Sequence, residues 1–121
     1  ILKRRLCLML LKNKTAIITG SNKGIGEKIL EIFSENGANV FACSRNIDQN
    51  FKNKIFKIKK KNSNKIIPVK LDLQNSEEIK KSANEIISKA KNIDILVNNA
   101  GIIHTSLFSM TSQKKFKEIF D

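Results

Sequence analysis

Short apolar runs alternate with longer segments of helical periodicity along this chain. The runs are rich in β-branched residues, as strands are, and they cover residues 15–19, 39–43, 66–71 and 94–98. Short polar stretches connect the runs to the helical segments. Repeated strand–helix units of this kind form a parallel sheet covered by helices, with right-handed crossovers. The pattern therefore predicts an α/β fold, a doubly wound parallel sheet of about four strands.

The helical segments have identifiable ends and apolar faces. The first is predicted to end at Asn36–Gly37, a common carboxyl-terminal signal, and its buried face is expected to hold Ile25, Ile29, Ile32 and Phe33. The second covers residues 51–61, where Phe51, Ile55 and Ile58 recur at intervals of four and three between lysines. The polar stretch 62–64 is expected to end it.

The third helix is predicted from its amino-terminal signals. Asn75 or Ser76 is the expected N-cap, followed by Glu77 and Glu78, whose carboxylates favour the first turn. Its buried face is expected to hold Ile79, Ala83, Ile86 and Ile87.

Length and composition are those of one domain with a modest core. The chain has 121 residues, of which 40% are hydrophobic. The formal net charge of +12 would suit a nucleic-acid partner, but Lys, Asn and Ile together fill 53 positions, a bias that AT-rich codons produce. Only three residues are arginine, the residue best shaped for phosphates and guanine edges. We therefore predict no nucleic-acid partner and keep a basic nucleic-acid-binding protein as the third alternative.

The opening segment is basic and then apolar, but its apolar part, residues 6–11, is too short for a signal peptide core or a membrane span. We predict no membrane association. Met9 is the expected true start, with residues 1–8 as an upstream extension that is not native, because strand-like sequence begins at Thr15.

The cysteines and the single histidine indicate no metal site. Cys7 and Cys43 form no CxxC pair, so neither a disulfide framework nor a zinc site is predicted, and a reducing, cytoplasmic location is expected. Cys43 lies in a predicted strand, where a free thiol acts as a small buried apolar group. His104 is the only histidine, which excludes a multi-histidine metal site, and a solvent-exposed loop position is the favoured interpretation for it.

The stretch TGSNKGIG, residues 19–26 and called the glycine loop below, holds three of the five glycines. It follows the first predicted strand and opens the first helix, whose unpaired N–H groups suit a phosphate anion. Glycine allows the backbone to turn sharply and approach that anion closely. The spacing matches neither the P-loop, which needs Gly-Lys-Ser/Thr after four residues, nor the GxGxxG fingerprint, because position 29 is Ile.

The spacing that remains, T-G-x-x-x-G-x-G, resembles the short-chain dehydrogenase/reductase family. Residues 98–101, Asn-Asn-Ala-Gly, match the family's NNAG motif after strand four, and Leu71-Asp72-Leu73 resembles its adenine-contacting segment after strand three. The resemblance covers about residues 11–121. Within the family, the chain most resembles 3-oxoacyl-[acyl-carrier-protein] reductases. This resemblance implies a Rossmann fold, with residues 9–121 as the amino-terminal dinucleotide-binding half of the domain.

The resemblance also implies roles for individual residues. Gly20, Gly24 and Gly26 would shape the turn around the cofactor pyrophosphate, with Ser21 and Ile25 lining it. Asp72 would hydrogen-bond the adenine amino group, beside the backbone of Leu73. The adenosine ribose would be flanked by Asn98, Ala100 and Gly101.

Cofactor choice depends on the end of the second strand. An acidic residue there would accept hydrogen bonds from a ribose 2′-OH, but this chain has Ser44 followed by Arg45. A guanidinium pairs with a 2′-phosphate in bidentate fashion, and Lys23 adds a second cation. The sequence predicts NADP(H) as the preferred cofactor, with NAD(H) as the alternative. Asp48 is the rival acidic residue, four positions beyond Ser44.

The family's hydride transfer between nicotinamide and a carbonyl or alcohol uses a Tyr-x-x-x-Lys motif with a Ser and an Asn. This chain contains no tyrosine, and residues 116–121 resemble the stretch just before the family's catalytic Asn. No catalytic or metal-binding residue is therefore assigned, and the chain alone is expected to be inactive. A non-catalytic dinucleotide-binding module is the second alternative. The resemblance implies a 3-oxoacyl carrier-protein substrate, with other carbonyls open, and a homotetramer for the complete protein.

Overall fold

The computed structural model describes residues 10–62 and 64–100. Strands and helices alternate along them as the apolar pattern predicts. The elements are β1 (Thr15–Ile18), α1 (Gly24–Glu35), β2 (Asn39–Ser44), α2 (Gln49–Lys61), β3 (Ile66–Lys70), α3 (Ser76–Lys89) and β4 (Ile95–Val97). Some positions named in the sequence analysis lie outside the described residues: 1–8, Met9, Gly101 and His104.

The four strands form one parallel sheet in the order β3-β2-β1-β4. From β1 the chain adds β2 and β3 on one side, and then crosses back to place β4 on the other side of β1. The register sets Ile18 of β1 beside Ala42 of β2 and Val97 of β4. The predicted doubly wound α/β fold is confirmed. Its strand order reverses between β1 and β4, which is where such sheets bind ligands.

Alternating residues of β2 divide the core between the two faces of the sheet. Val40 and Ala42 belong to a cluster with side chains of α1 and α2, including Leu30 and Phe51. On the opposite face, Phe41 and Cys43 belong to a cluster with Val69 of β3 and Ile86 of α3. The sheet is therefore covered by α1 and α2 on one face and by α3 on the other.

The predicted buried face of α1 is wrong in part. Ile25 and Ile32 are 73% and 45% exposed, whereas Gly26, Leu30 and Ser34 are buried. Ile29 and Phe33 do pack against the core, as predicted. The buried stripe is rotated by roughly a quarter turn from the predicted one, because the helix packs closest through a glycine and a serine, which a hydropathy pattern does not count as core.

The α3 face shows the same displacement. Ile86 is buried as predicted, but Ala83 and Ile87 are exposed. The other buried residue is Ser82, whose Oγ donates to the Lys70 carbonyl oxygen at 2.7 Å. This hydrogen bond joins the helix to the end of β3 through a polar side chain, so the hydropathy pattern could not locate the contact.

Both polar N-caps involve residues singled out in the sequence. The Asn75 side chain accepts from the N–H groups of Glu77 and Glu78, which selects Asn75 over Ser76 as the cap. Asp48 caps α2 by accepting from the Phe51 N–H at 2.9 Å. At the other end of α1, Gly37 has a φ of 90°, which confirms the expected glycine stop.

Cys43 is expected to be unreactive in the folded protein. It is buried, and burial raises the pKa of its thiol to about 12, with the negative charge of Glu85 adding to the shift. Since thiolate is the nucleophile, a Cys7→Ser variant should give almost no reaction with Ellman's reagent at pH 8 until denaturant is added. Labelling of Cys43 that is as fast without denaturant as with it would contradict the packing.

The same pKa shift sets a direction for stability. The native thiol keeps its proton above pH 9.0, where the unfolded cysteine loses it. This contribution to the free energy of unfolding is therefore complete below pH 9.0 and declines as the pH rises toward 12.

Candidate functional site

The carboxyl ends of β1 and β4 are joined through Thr19, the first residue of the glycine loop. Its backbone N–H donates to the Val97 carbonyl oxygen at 3.1 Å, and its Oγ1 donates to the same oxygen at 3.3 Å. The same Oγ1 accepts from the N–H groups of Asn99 and Ala100, at 3.0 and 3.1 Å. One buried hydroxyl therefore fixes the turn after β4 against the glycine loop.

We expect Thr19→Val to lower the free energy of unfolding by about 1–3 kcal/mol, because an isosteric methyl leaves the two N–H groups without this acceptor. Thr15→Val, at the start of β1, is the matched control, since the Thr15 hydroxyl makes no hydrogen bond within residues 10–62 and 64–100. That variant should change the value by less than about 0.5 kcal/mol. Urea unfolding measures both, and equal losses would remove the special role of Thr19.

Gly20 and Gly26 lie where the backbone of the loop approaches its neighbours most closely. A Cβ on Gly20 would lie 3.0 Å from the Ala100 Cα, and Gly20 also has a φ of 63°. A Cβ on Gly26 would overlap the Gly20 carbonyl oxygen and lie 2.6 Å from the Asn99 Nδ2. That Nδ2 donates to the Gly20 oxygen at 3.1 Å. A side chain at position 26 therefore requires the loop to move, whereas one at position 20 is crowded by Ala100 and strained by the left-handed backbone.

Gly24 differs from the other two glycines of the loop. Its φ is 62°, but a Cβ there would meet no described residue within 4 Å. The requirement at this position is therefore the left-handed backbone alone. Open space beside it, at the start of α1, leaves room for a ligand to approach the backbone.

Ser21 supports the loop from within. It is fully buried, and both its N–H and its Oγ donate to the Cys43 carbonyl oxygen at 3.0 Å. Its donors are thus directed at β2, away from any ligand above the sheet. The structure gives Ser21 a place in holding the loop, in contrast to the lining position expected from the sequence.

The amino terminus of α1 is open. Lys23 is the N-cap residue, with extended backbone and no side-chain capping hydrogen bond, and both Lys23 and Ile25 are exposed. The N–H groups of a first turn have no partner within the helix. Together with the helix dipole they favour the binding of an anion where the chain passes from β1 to α1.

A second group of predicted site residues lies at the ends of β2 and β3. Arg45 Nε is 4.0 Å from Asp72 Oδ1, which also accepts from the Gln74 N–H at 3.0 Å. The Arg45 side chain is 62% exposed, so this ion pair is weak and the guanidinium can turn to another anion. Ser44 is buried and Leu73 is half-buried. Asp48 is engaged as the cap of α2, which accounts for it without a ribose contact.

Asn98 and Ala100 follow β4 and are exposed beside the glycine loop. The sequence interpretation did not assign Thr19 and Asn99 to the site, although both lie in its motifs, as the first residue of TGxxxGxG and the second of NNAG. The signal was available: both are polar residues directly after strands whose carboxyl ends meet. Among the described residues, no group of three or more His, Cys, Asp or Glu side chains is placed to hold a metal ion.

A parallel sheet of this order, with a glycine turn at its point of reversal, defines the class of doubly wound α/β proteins with a Rossmann-type site. Residues 14–121 match the family model described as short chain dehydrogenase. The chain belongs to the short-chain dehydrogenase family.

Two curated relatives are 3-oxoacyl-[acyl-carrier-protein] reductases FabG. The chain is 36% identical to the one from Buchnera aphidicola, over 92% of this chain and 43% of the relative. It is 31% identical to the one from Chlamydia muridarum, over 93% of this chain and 45% of the relative. The chain thus spans about half the length of the curated relatives it matches.

Two solved structures share the fold. L-sorbose reductase from Gluconobacter frateurii, complexed with NADPH and L-sorbose, superimposes with a TM-score of 0.78 at 29% identity, over 91% of this chain and 41% of that one. A protein from Beutenbergia cavernae, assigned as an NAD(P)-dependent gluconate 5-dehydrogenase and holding NADP at low occupancy, gives a TM-score of 0.75 at 29% identity, over 93% of this chain and 43% of that one. None of the helices within the described residues has the length and apolar character of a membrane span.

Proposed function

We propose that this chain forms the cofactor-binding part of an NADP(H)-dependent oxidoreductase that interconverts a carbonyl and an alcohol. The observation that carries the proposal is the cradle at the β1–β4 junction, where Gly26 leaves no room for a Cβ, Gly20 is crowded, and the start of α1 is open within the described residues. A dinucleotide fits this cradle because its pyrophosphate needs close backbone approach and N–H donors. The nicotinamide, when bound, supplies or accepts the hydride.

The residues of the chain bind and orient the cofactor in this proposal. The first-turn N–H groups of α1 hold the pyrophosphate, and the exposed Ile25 lines it. The exposed Lys23 adds a second cation for the 2′-phosphate. Asp72 accepts from the adenine amino group, since its carboxylate has lone pairs beyond the one used by Gln74. Leu73, Asn98, Ala100 and Gly101 flank the adenosine.

The preference for NADP(H) over NAD(H) rests on charge at the end of β2. Ser44 replaces the carboxylate that would repel a 2′-phosphate, and the exposed Arg45 is available to pair with that phosphate. The L-sorbose reductase complexed with NADPH and the gluconate 5-dehydrogenase with bound NADP support this preference.

For the substrate, we propose a 3-oxoacyl group carried by acyl carrier protein, supported by the names of the Buchnera and Chlamydia relatives. Sugars and small ketones are the competing classes, as the L-sorbose reductase illustrates. We further propose a cytoplasmic homotetramer for the complete protein. The catalytic groups implied by the family, a Tyr and Lys pair with a Ser and an Asn, are not assigned to any residue of this chain.

A chimera tests the activity. Residues 14–100 of this chain would replace the matching segment of the Buchnera relative, and NADPH consumption would be followed with a 3-oxoacyl thioester. The proposal expects turnover that a second chimera carrying Gly26→Ala lacks. NADPH binding without turnover in a folded chimera would favour the non-catalytic dinucleotide-binding module. Retention on DNA that weakens with salt, without NADPH binding, would favour the basic nucleic-acid-binding protein.

A further inference from the structure

Lys54 lies on α2 and belongs to none of the sequence motifs of the site, yet its ammonium group contacts the glycine loop. Its Nζ donates to the Asn22 carbonyl oxygen at 2.8 Å. The same Nζ donates to Glu27 Oε2, in the first turn of α1, at 3.3 Å. The side chain is half-buried, with 34% exposure. One lysine therefore joins α2, the glycine loop and the start of α1.

Within the described residues, the other anchors of the loop act on its first half. Thr19 is joined to the end of β4 and the turn after it, and the Gly20 oxygen accepts from Asn99 in that turn. Ser21 donates twice to the Cys43 oxygen of β2. Beyond them the chain runs through Asn22 to the N-cap of α1, and the described side chain that holds this second half is Lys54.

The geometry of the peptide bond gives this contact a consequence for the site. The peptide unit between Asn22 and Lys23 is trans and planar, so its carbonyl and its N–H point in opposite directions. Holding the Asn22 oxygen toward α2 therefore turns the Lys23 N–H away from α2. Lys23 is the N-cap of the open helix terminus, so Lys54 sets the direction of the first donor there.

The contribution is one of position more than of charge. Glu27 lies within 4.0 Å of the ammonium group and neutralises most of its field at the loop. Lys57 lies one turn further along α2 and lines the same groove between α1 and α2. It carries the same charge but makes no hydrogen bond to the glycine loop within the described residues. Substituting Lys57 therefore removes a positive charge from α2 without removing a hydrogen bond to the loop.

We propose that Lys54 is a positioning residue that fixes the second half of the glycine loop in the conformation that receives the cofactor pyrophosphate. This assignment rests on the proposed function for its ligand, but the loop conformation itself is measurable without any ligand.

The test compares Lys54→Met with Lys57→Met in the purified protein. Amide hydrogen exchange of residues 19–26 is measured without ligand, and the Kd for NADPH is measured by its fluorescence. We expect loop exchange about fivefold faster and NADPH binding about tenfold weaker in Lys54→Met, the loss of one hydrogen bond from a charged donor discounted for exposure. Lys57→Met should match the wild type within about twofold. Lys54→Arg, which keeps a donor, should recover part of both effects.

The outcomes separate this inference from the proposed function. Unchanged loop exchange in Lys54→Met, or equal effects in the two methionine variants, would overturn the positioning role. Faster exchange with unaltered NADPH affinity would also overturn it. A wild-type protein that fails to bind NADPH contradicts the proposed function, while the exchange comparison still decides whether Lys54 holds the loop. Lys54→Leu, which also lacks a donor, carries the same expectation, should circular dichroism show that the methionine variant is misfolded.

Discussion

Gly26→Ala is expected to abolish measurable NADPH binding and to lower the free energy of unfolding by about 3 kcal/mol, the upper range for overpacking in a tight site. The added Cβ would overlap the Gly20 carbonyl oxygen and crowd the Asn99 amide at 2.6 Å. Both neighbours are held: Asn99 donates to the Gly20 oxygen, and its backbone N–H donates to Thr19. The loop must therefore move for the methyl group to fit, and the anion site moves with it.

Gly24→Ala is the matched control, two residues earlier in the same helix. A Cβ there meets none of the described residues within 4 Å, so its cost to stability is the left-handed φ of 62°, about 1 kcal/mol. We expect this variant to fold and to keep measurable NADPH binding, weakened because the methyl group enters the space through which the ligand approaches. Titration calorimetry and urea unfolding measure both quantities. If Gly26→Ala binds NADPH as well as Gly24→Ala does, close approach at position 26 is not what the site requires.

Arg45→Glu should reverse the preference between the two nicotinamide cofactors. The substitution removes the guanidinium that would pair with the 2′-phosphate and places a carboxylate beside Asp72, whose Oδ1 now lies 4.0 Å from Arg45 Nε. NADPH affinity should fall about hundredfold, the value of a charge-assisted pair together with new repulsion. NADH should change by less than about threefold, because a glutamate can accept from its ribose 2′-OH.

The ratio of the two dissociation constants is the measurement for Arg45, since a change in folding alone would weaken both cofactors together. Lys91 is exposed and lies in the loop before β4, at the opposite end of the strands from Arg45. Lys91→Glu introduces the same change of charge there and is the control. It should leave the ratio unchanged. An unchanged ratio in Arg45→Glu, or an equal shift in Lys91→Glu, would show that Arg45 does not recognise the 2′-phosphate.

The fold followed from the sequence because its signals are local. Alternating apolar runs placed four parallel strands, the α3 cap was narrowed to Asn75 or Ser76, and the Gly37 stop was identified from a single residue. The helix faces were less accurate. Gly26 and Ser82 are buried where Ile25 and Ile87 were expected, because close helix–sheet contact selects small side chains and a hydropathy pattern rewards large ones.

The site was predictable where a motif carries it and not where a long-range contact does. The three glycines were located by spacing alone. The hydroxyl of Thr19 meets Asn99 across 80 positions, and Lys54 meets Asn22 across 32. No local sequence pattern marks a contact between residues so far apart in the chain, so both contacts could be found only in the folded structure.

A two-dimensional ¹H–¹⁵N NMR titration of the purified protein with NADP⁺ tests whether the cradle between β1 and β4 binds this cofactor. We expect saturable shifts in the glycine loop, at Arg45 and Asp72, and at residues 98–100. Residues near the amino ends of the strands, namely Asn39, Lys65 and Lys91, should show no change in chemical shift. A folded protein without saturable shifts, or with shifts confined to the lysines of α2, would contradict it.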